Sequence, residues 1–244
     1  MIPRGLILAF QFLTQLPVPR ISDVEPQELA RTAVWFPVVG LVIGVVLALA
    51  VLVGADVNAW IAALLGLLVW VAITGALHLD GLADVADALG ASHAAPKRFH
   101  EVLKDPHVGS FGVVAVVLLL MSKLVVMAQL PSAVLVPALL LIPAWARWGP
   151  LVWSLAAPPP SDGPASKGMA AQFRSGQDWR PAAAYAATLG IASLWLAPRL
   201  LAALAIVPLV ALYWRRRIGG MTGDCHGASV EVTETLLLAL LLPG

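Results

Sequence analysis

Three aspartates stand at i, i+4 and i+7 in the segment GALHLDGLADVADALGAS (75–92): Asp80, Asp84 and Asp87. On a helix this spacing puts them within about 60° of one another. No Lys or Arg lies among them, so the carboxylates repel one another. A hard divalent cation such as Mg²⁺, bound through oxygen ligands, relieves that repulsion. Gly81 and Ala83 are small enough to let a substrate phosphate approach the backbone. An acidic run more often marks a solvated helix face. Here the chain has only 14 acidic residues and three of them collect at the expected exit of a membrane span, which favours the metal reading.

A second acidic stripe, Asp224, Glu231 and Glu234, lies in GGMTGDCHGASVEVTE (219–234), behind a glycine-rich turn in which Thr222 can cap a helix whose free N–H groups suit a phosphate. Opposed to the first stripe, it could complete a one- or two-metal site. Between the two lies KDPHVGSFG (104–112). Lys104 is a candidate phosphate ligand and Asp105 a metal or hydroxyl partner, while Gly109 and Gly112 permit close backbone approach. A capped helix start with a snorkelling lysine explains that spacing equally well. Lys123 and Arg147 interrupt apolar runs. A cation there costs at least ~2.5–3.5 kcal/mol, so both should face the bundle interior, paired with an anionic substrate or the acidic cluster. His78 points away from the aspartates on a continuous helix. His107 and His226 are candidate general bases, although a lone histidine is more often a hydrogen-bonded bystander.

The elements that hold these residues must be membrane helices. The 244-residue chain is 60% hydrophobic and 12% charged, with a mean hydropathy of +0.88. A soluble domain carries roughly 45–50% apolar and about 25% charged residues, so a soluble enzyme is excluded as the default, and a disordered chain with it. A net charge of +1 gives no basic field for nucleic acid, and one cysteine, Cys225, allows no internal disulfide. The first twenty residues lack the layout of a cleaved signal peptide and suggest an interfacial helix ending at Pro17-Val18-Pro19. Uncharged stretches at 32–55 and 57–79, at 106–122 and 124–146, and at 181–198 and 200–214 predict three helical hairpins. The tail at 235–243 adds a short seventh helix. The fold expected is thus all-α, a polytopic helical membrane bundle of six to seven transmembrane helices, with 1–244 a single catalytic domain. The nine tryptophans fit interfacial belts and packing. Of the 15 basic residues, 12 fall on the side of the acidic motifs, which should therefore be cytoplasmic.

The blocks FQFLTQLPVP (10–19), WFPVVGLVIG (35–44), GALHLDGLADVADALGA (75–91), EVLKDPHVGSFGVVAVVLLLMSK (101–123) and GMTGDCHGASVEVTE (220–234) resemble, in order, those of the cobalamin synthase family, the adenosylcobinamide-GDP ribazoletransferases. The resemblance covers essentially the whole chain and is sharpest in the aspartate-rich block at 75–91 and the Lys-Asp block at 101–123; 150–218 matches less well. It implies an enzyme of the bacterial inner membrane, late in vitamin B12 biosynthesis. Such an enzyme joins adenosylcobinamide-GDP to α-ribazole or its 5′-phosphate, releases GMP and uses Mg²⁺. Carried onto this chain, it points to Asp80, Asp84 and Asp105 as catalytic and to Asp80, Asp84, Asp87, Asp224 and Glu231 as metal ligands. Lys104, Gly109, Lys123, Arg147 and Thr222 become substrate contacts. Cys225-His226 departs from the family pattern, where small or apolar residues are usual. The partners implied are the two small molecules and the lipid bilayer, with homo-oligomers or other corrinoid-pathway enzymes left open.

Two other classes compete. A CDP-alcohol phosphotransferase also uses an acidic helix with small residues, but its Asp-Gly-x-x-Ala-Arg hallmark is broken here, where Asp84 and Val85 occupy the Ala and Arg positions. A transporter would distribute polar residues along the spans, whereas these gather on one side.

Overall fold

The computed structural model describes residues 3–25, 28, 31–92, 99–103, 105–159 and 178–243, and within these every regular element is helical. Helix α1 (Arg4–Leu13) is amphipathic and buries Leu8, Ala9 and Leu13. A 3₁₀ turn, Ala33–Trp35, leads into α2 (Phe36–Ala55), and α3 (Ala59–Thr74), capped by the Asn58 side chain, returns beside it. Next come α4 (Leu77–Ser92), the four-residue α5 (Phe99–Val102), α6 (Ser110–Gln129) and α7 (Ser132–Ala156). Helix α8 (Trp179–Leu196) joins α9 (Ala203–Ile218) through the 3₁₀ turn Pro198–Ala202, and α10 (Gly223–Ala239) closes the chain.

Four helical stretches are long and apolar enough to cross a membrane: Ala33–Ala55, Ser110–Gln129, Ser132–Ala156 and Pro198–Ile218. A fifth appears if α3 and α4 are counted as one bent span. Of the three expected hairpins only the first packs as one, α2 against α3; α6 packs on α3 and α4 rather than on α7, and α8 and α9 each pack on α7 rather than on each other. The count of six to seven spans is not confirmed. Helices α3 and α10 have 16 and 17 residues, short of the about 20 that a hydrocarbon core requires.

The core is organised around α7, whose Trp145, Trp153 and Arg147 are fully enclosed. Helix α2 reaches it through Gly40 and Gly44: a Cβ on either would press into the α7 backbone at Pro143–Ala144 or Leu139–Leu140. This is the small-xxx-small solution to helix pairing where no water-driven burial helps. The α7 tryptophans are tied inward, with Trp145 Nε1 donating to Ser193 Oγ (2.9 Å), Trp148 Nε1 to the Ala182 carbonyl (2.8 Å) and Trp153 Nε1 to the Val207 carbonyl (2.8 Å). They are core clamps, which is the packing role expected of them.

One turn decides where the aspartates go. Gly75 and Ala76 both adopt left-handed backbone (φ 60° and 58°), and α4 leaves α3 at 87°. Instead of continuing the span, α4 lies across the end of the bundle. It touches the start of α6 through Gly109 and Gly112, the end of α9 through Arg217 and the start of α10 at Asp224. At the far end, Arg199 donates to the carbonyls of Leu240, Leu241 and Leu242, satisfying the orphan acceptors where α10 stops. Helix α10 therefore runs the length of the bundle.

Candidate active site

Helices α4 and α10 cross where both are small. A Cβ on Gly81 would lie 2.9 Å from the Asp224 carbonyl oxygen, and one on Gly227 3.5 Å from His78 Cα. This crossing brings Asp80 and Asp84 of α4 to Asp224, in the first turn of α10. Thr222 caps that turn, its Oγ1 accepting from the Cys225 N–H at 3.3 Å. Burial, followed by the charges of Asp80, Asp224 and Asp87, pushes the Asp84 carboxyl up to about 6. Among the described residues no Lys or Arg side chain is ion-paired with Asp80, Asp84 or Asp224. An uncompensated set of carboxylate oxygens of this kind matches a hard divalent cation. Within the described residues, no three His, Cys, Asp or Glu side chains stand close enough to hold a metal unaided. A cation held here would therefore need oxygens from phosphates or water beside one or two of these carboxylates.

Below the carboxylates is a cavity of about 140 Å³. Asp80, Asp224, Gly223, His78 and His226 line it together with Phe12, Leu13, Phe36 and Leu77. The sequence stripes gave no sign of Phe12 and Phe36, which stack at 5.8 Å. The available signal was their place in the first two motif blocks, ahead of any charged residue of the site.

Several expected site residues stand elsewhere. Asp87 shares the α4 stripe but turns to α6: its Oδ2 accepts from the Gly109 N–H (2.7 Å) and its Oδ1 from the Gly112 N–H (3.0 Å). It caps α6 with both oxygens, a structural task for a residue expected as a metal ligand, and the Gly109 N–H is thereby withdrawn from any phosphate. A side chain at position 109 or 112 would collide with that carboxylate, which explains both glycines.

Glu231 is likewise removed from the metal set, and Lys123 and Arg147 from the substrate contacts, because the three are sealed together in the bundle. Lys123 Nζ donates to Glu231 Oε2 and Glu234 Oε2, both at 2.7 Å, and Arg147 Nη1 donates to Glu234 Oε1 at 2.7 Å. Lys123 also lies 4.3 Å from the centre of the Trp70 ring, an additional favourable contact for an ammonium. Arg147 and Glu234 have no exposed surface. Of the two partners expected for the intramembrane cations, the acidic stripe is the one found. Arg147 Nη2 also approaches His78 Nδ1 (3.5 Å), so His78, which lines the same cavity as Asp80 and Asp224, links this network to the cavity wall.

Asp105 is exposed, and its Oδ1 accepts from the His107 ring Nδ1 (2.7 Å) and backbone N–H (3.0 Å). The His107 hydrogen bonds hold its carboxyl below the usual range. It does not figure among the charges that act on Asp84. Lys104 lies outside the described residues.

The family described as cobalamin-5-phosphate synthase (CobS) matches residues 5–242. An adenosylcobinamide-GDP ribazoletransferase of Novosphingobium aromaticivorans is 49% identical to this chain over 99% of its length and 97% of that protein. Proteins of the same name from Thiobacillus denitrificans and Laribacter hongkongensis are 46% and 48% identical, covering 99% and 97% of this chain and 95% and 96% of their own. No solved structure matches.

Proposed function

The chain belongs to the cobalamin-5-phosphate synthase family of transferase enzymes, and from that premise we propose that it is a Mg²⁺-dependent adenosylcobinamide-GDP ribazoletransferase. On this reading it joins adenosylcobinamide-GDP to α-ribazole or its 5′-phosphate and releases GMP at the cytoplasmic face of the bacterial inner membrane. One observation carries the chemistry: Asp80 and Asp224, from two crossing helices, line one cavity, the charges of both act on Asp84, and none of the three has a cationic partner among the described residues. The cytoplasmic placement is supported by Arg215, Arg216 and Arg217 in the last turn of α9 at this end of the bundle, against Arg199 at the other.

Mg²⁺ held by Asp80 and Asp224 would neutralise charge on the diphosphate of the donor. The protein's own task is positioning and proton removal. A ribose hydroxyl of the acceptor attacks the corrinoid-side phosphorus, and the bond from that phosphorus to the bridging oxygen breaks, so that GMP leaves with the bridging oxygen. Asp84, whose carboxyl is raised to about 6, is ionised at neutral pH yet basic enough to take the hydroxyl proton on its carboxylate oxygen. The Gly81–Asp224 approach fixes the separation of the two helices that carry these groups.

The direct test is GMP release from adenosylcobinamide-GDP and α-ribazole by the purified protein, with Mg²⁺ and with EDTA. Release should require the metal. The Asp80→Asn, Asp84→Asn double variant should lose on the order of 10²–10⁴ in rate. Full activity in that variant would remove the carboxylates from the mechanism.

A further inference from the structure

We propose that the cavity beneath Asp80 and Asp224 is a pocket for one planar aromatic nitrogen base, and that the His226 imidazole is its hydrogen-bonding partner. This rests on the transferase reading and locates within it the base of the acceptor nucleoside. His226 is only 9% exposed and lines the cavity. Among the described residues its ring nitrogens have no hydrogen-bond partner, and its ring meets that of Trp153 edge-on at 5.7 Å. Its ring nitrogens are not sealed in the core but belong to the cavity lining, so an imidazole with no protein partner there is placed to meet a ligand that enters. His78, on the same wall, differs in that its Nδ1 already faces the Arg147 guanidinium.

Size and polarity narrow the ligand. An apolar cavity of about 150 Å³ accommodates one benzene ring; this one is about 140 Å³. It admits a single aromatic base whose outer edge reaches the mouth, and it excludes the corrin macrocycle. Phe12 and Phe36, stacked at 5.8 Å with an interplanar angle of 18°, stand with Leu13 and Leu77 as apolar walls. A neutral imidazole offers one donor and one acceptor. The N–H donor satisfies benzimidazole, whose only polar edge atom is one free, accepting ring nitrogen once the other carries the ribose. Guanine presents several donors and acceptors and would enter with most of them unpaired. With the base inside, the ribose of a benzimidazole riboside emerges between Asp80 and Asp224, where its hydroxyls reach the carboxylates.

The test uses the full-length protein in detergent and three probes, benzimidazole, α-ribazole and GMP, with binding measured by titration calorimetry. Benzimidazole should bind and compete with α-ribazole, and GMP should not displace it. His226→Phe, which keeps the ring volume and removes the polar atoms, should weaken α-ribazole binding about tenfold, the effect of one lost hydrogen bond. Its KM for α-ribazole should rise with kcat and the KM for adenosylcobinamide-GDP little changed. His226→Gln, which retains a donor and an acceptor, should recover part of the loss and guards against misfolding of the Phe variant. Displacement of benzimidazole by GMP, or wild-type affinity for α-ribazole in His226→Phe, would overturn the assignment. Turnover by the wild type with no effect at position 226 defeats the pocket and leaves the transferase reading intact. Benzimidazole binding without any GMP release does the reverse.

Discussion

Asp84 gathers the electrostatic cost of the site. Its carboxyl is raised because burial and three neighbouring carboxylates oppose its charge, so the folded state holds its proton more tightly than the unfolded chain does. The resulting penalty is fully present above pH 6, shrinks as pH falls through 6 toward 4, and is absent below both values. In EDTA, Asp84→Asn should therefore raise the thermal midpoint at pH 8 and give progressively less advantage as the pH is lowered to 5. A gain that grew at low pH would contradict the shift. Asp87 invites the opposite expectation. Because both of its oxygens cap α6, Asp87→Ala should cost about 1–2 kcal/mol of stability, measured by denaturation in detergent. Asp87→Asn, with one acceptor left, should keep far more activity than Asp80→Asn. The spacing that groups the three aspartates could not separate these roles. Asp80, Asp84 and Asp87 share a helix face, and only the approach of α6 shows which carboxylate has been claimed.

The crossings of whole helices depend on small residues, and the burial of charge depends on pairing. Helix α4 meets α6 at Gly112, where a Cβ would press against the Asp87 carboxylate and the Ala83 carbonyl. Gly112→Val should thus displace α4 and reduce transfer activity at least as much as loss of the Asp87 cap. Deeper in the bundle, Lys123, Arg147, Glu231 and Glu234 form a sealed set of two cations and two anions. Removing one member leaves a buried charge unanswered. Glu234→Gln should destabilise the protein by about 3–5 kcal/mol, and pairing it with Lys123→Met should return part of that. Additive losses would show that the groups are not coupled. The helices and their turns were legible in the gaps between charged residues, since the length of an apolar run is a direct physical demand of the bilayer. The 87° break between α3 and α4 was not. Apolar residues continue straight through it, and only the left-handed conformations of Gly75 and Ala76 redirect the chain.

Across the whole molecule, two layers share one helix. The start of α10 presents Asp224 to the reaction mouth, its middle buries Glu231 and Glu234, and its end is held by Arg199. In sequence the acidic residues of α10 make one stripe, from which a single acidic face was expected. The stripe instead divides by depth: Asp224 remains with the aspartates of α4, and the glutamates answer Lys123 and Arg147. What the charge pattern conveyed correctly was that acids and bases in so apolar a chain must be concentrated. It could not convey that part of that concentration is internal neutralisation.

That neutralisation has an electrical consequence. The four buried groups sum to zero, and a proton moved from Lys123 to a glutamate would leave the sum unchanged. A unit charge crossing the full membrane field gains or loses about 2.3 kcal/mol per 100 mV; a set with no net charge feels no such force. The catalyst should therefore turn over at the same rate in an energised and a de-energised membrane. A potassium diffusion potential imposed on proteoliposomes should leave wild-type GMP release unchanged.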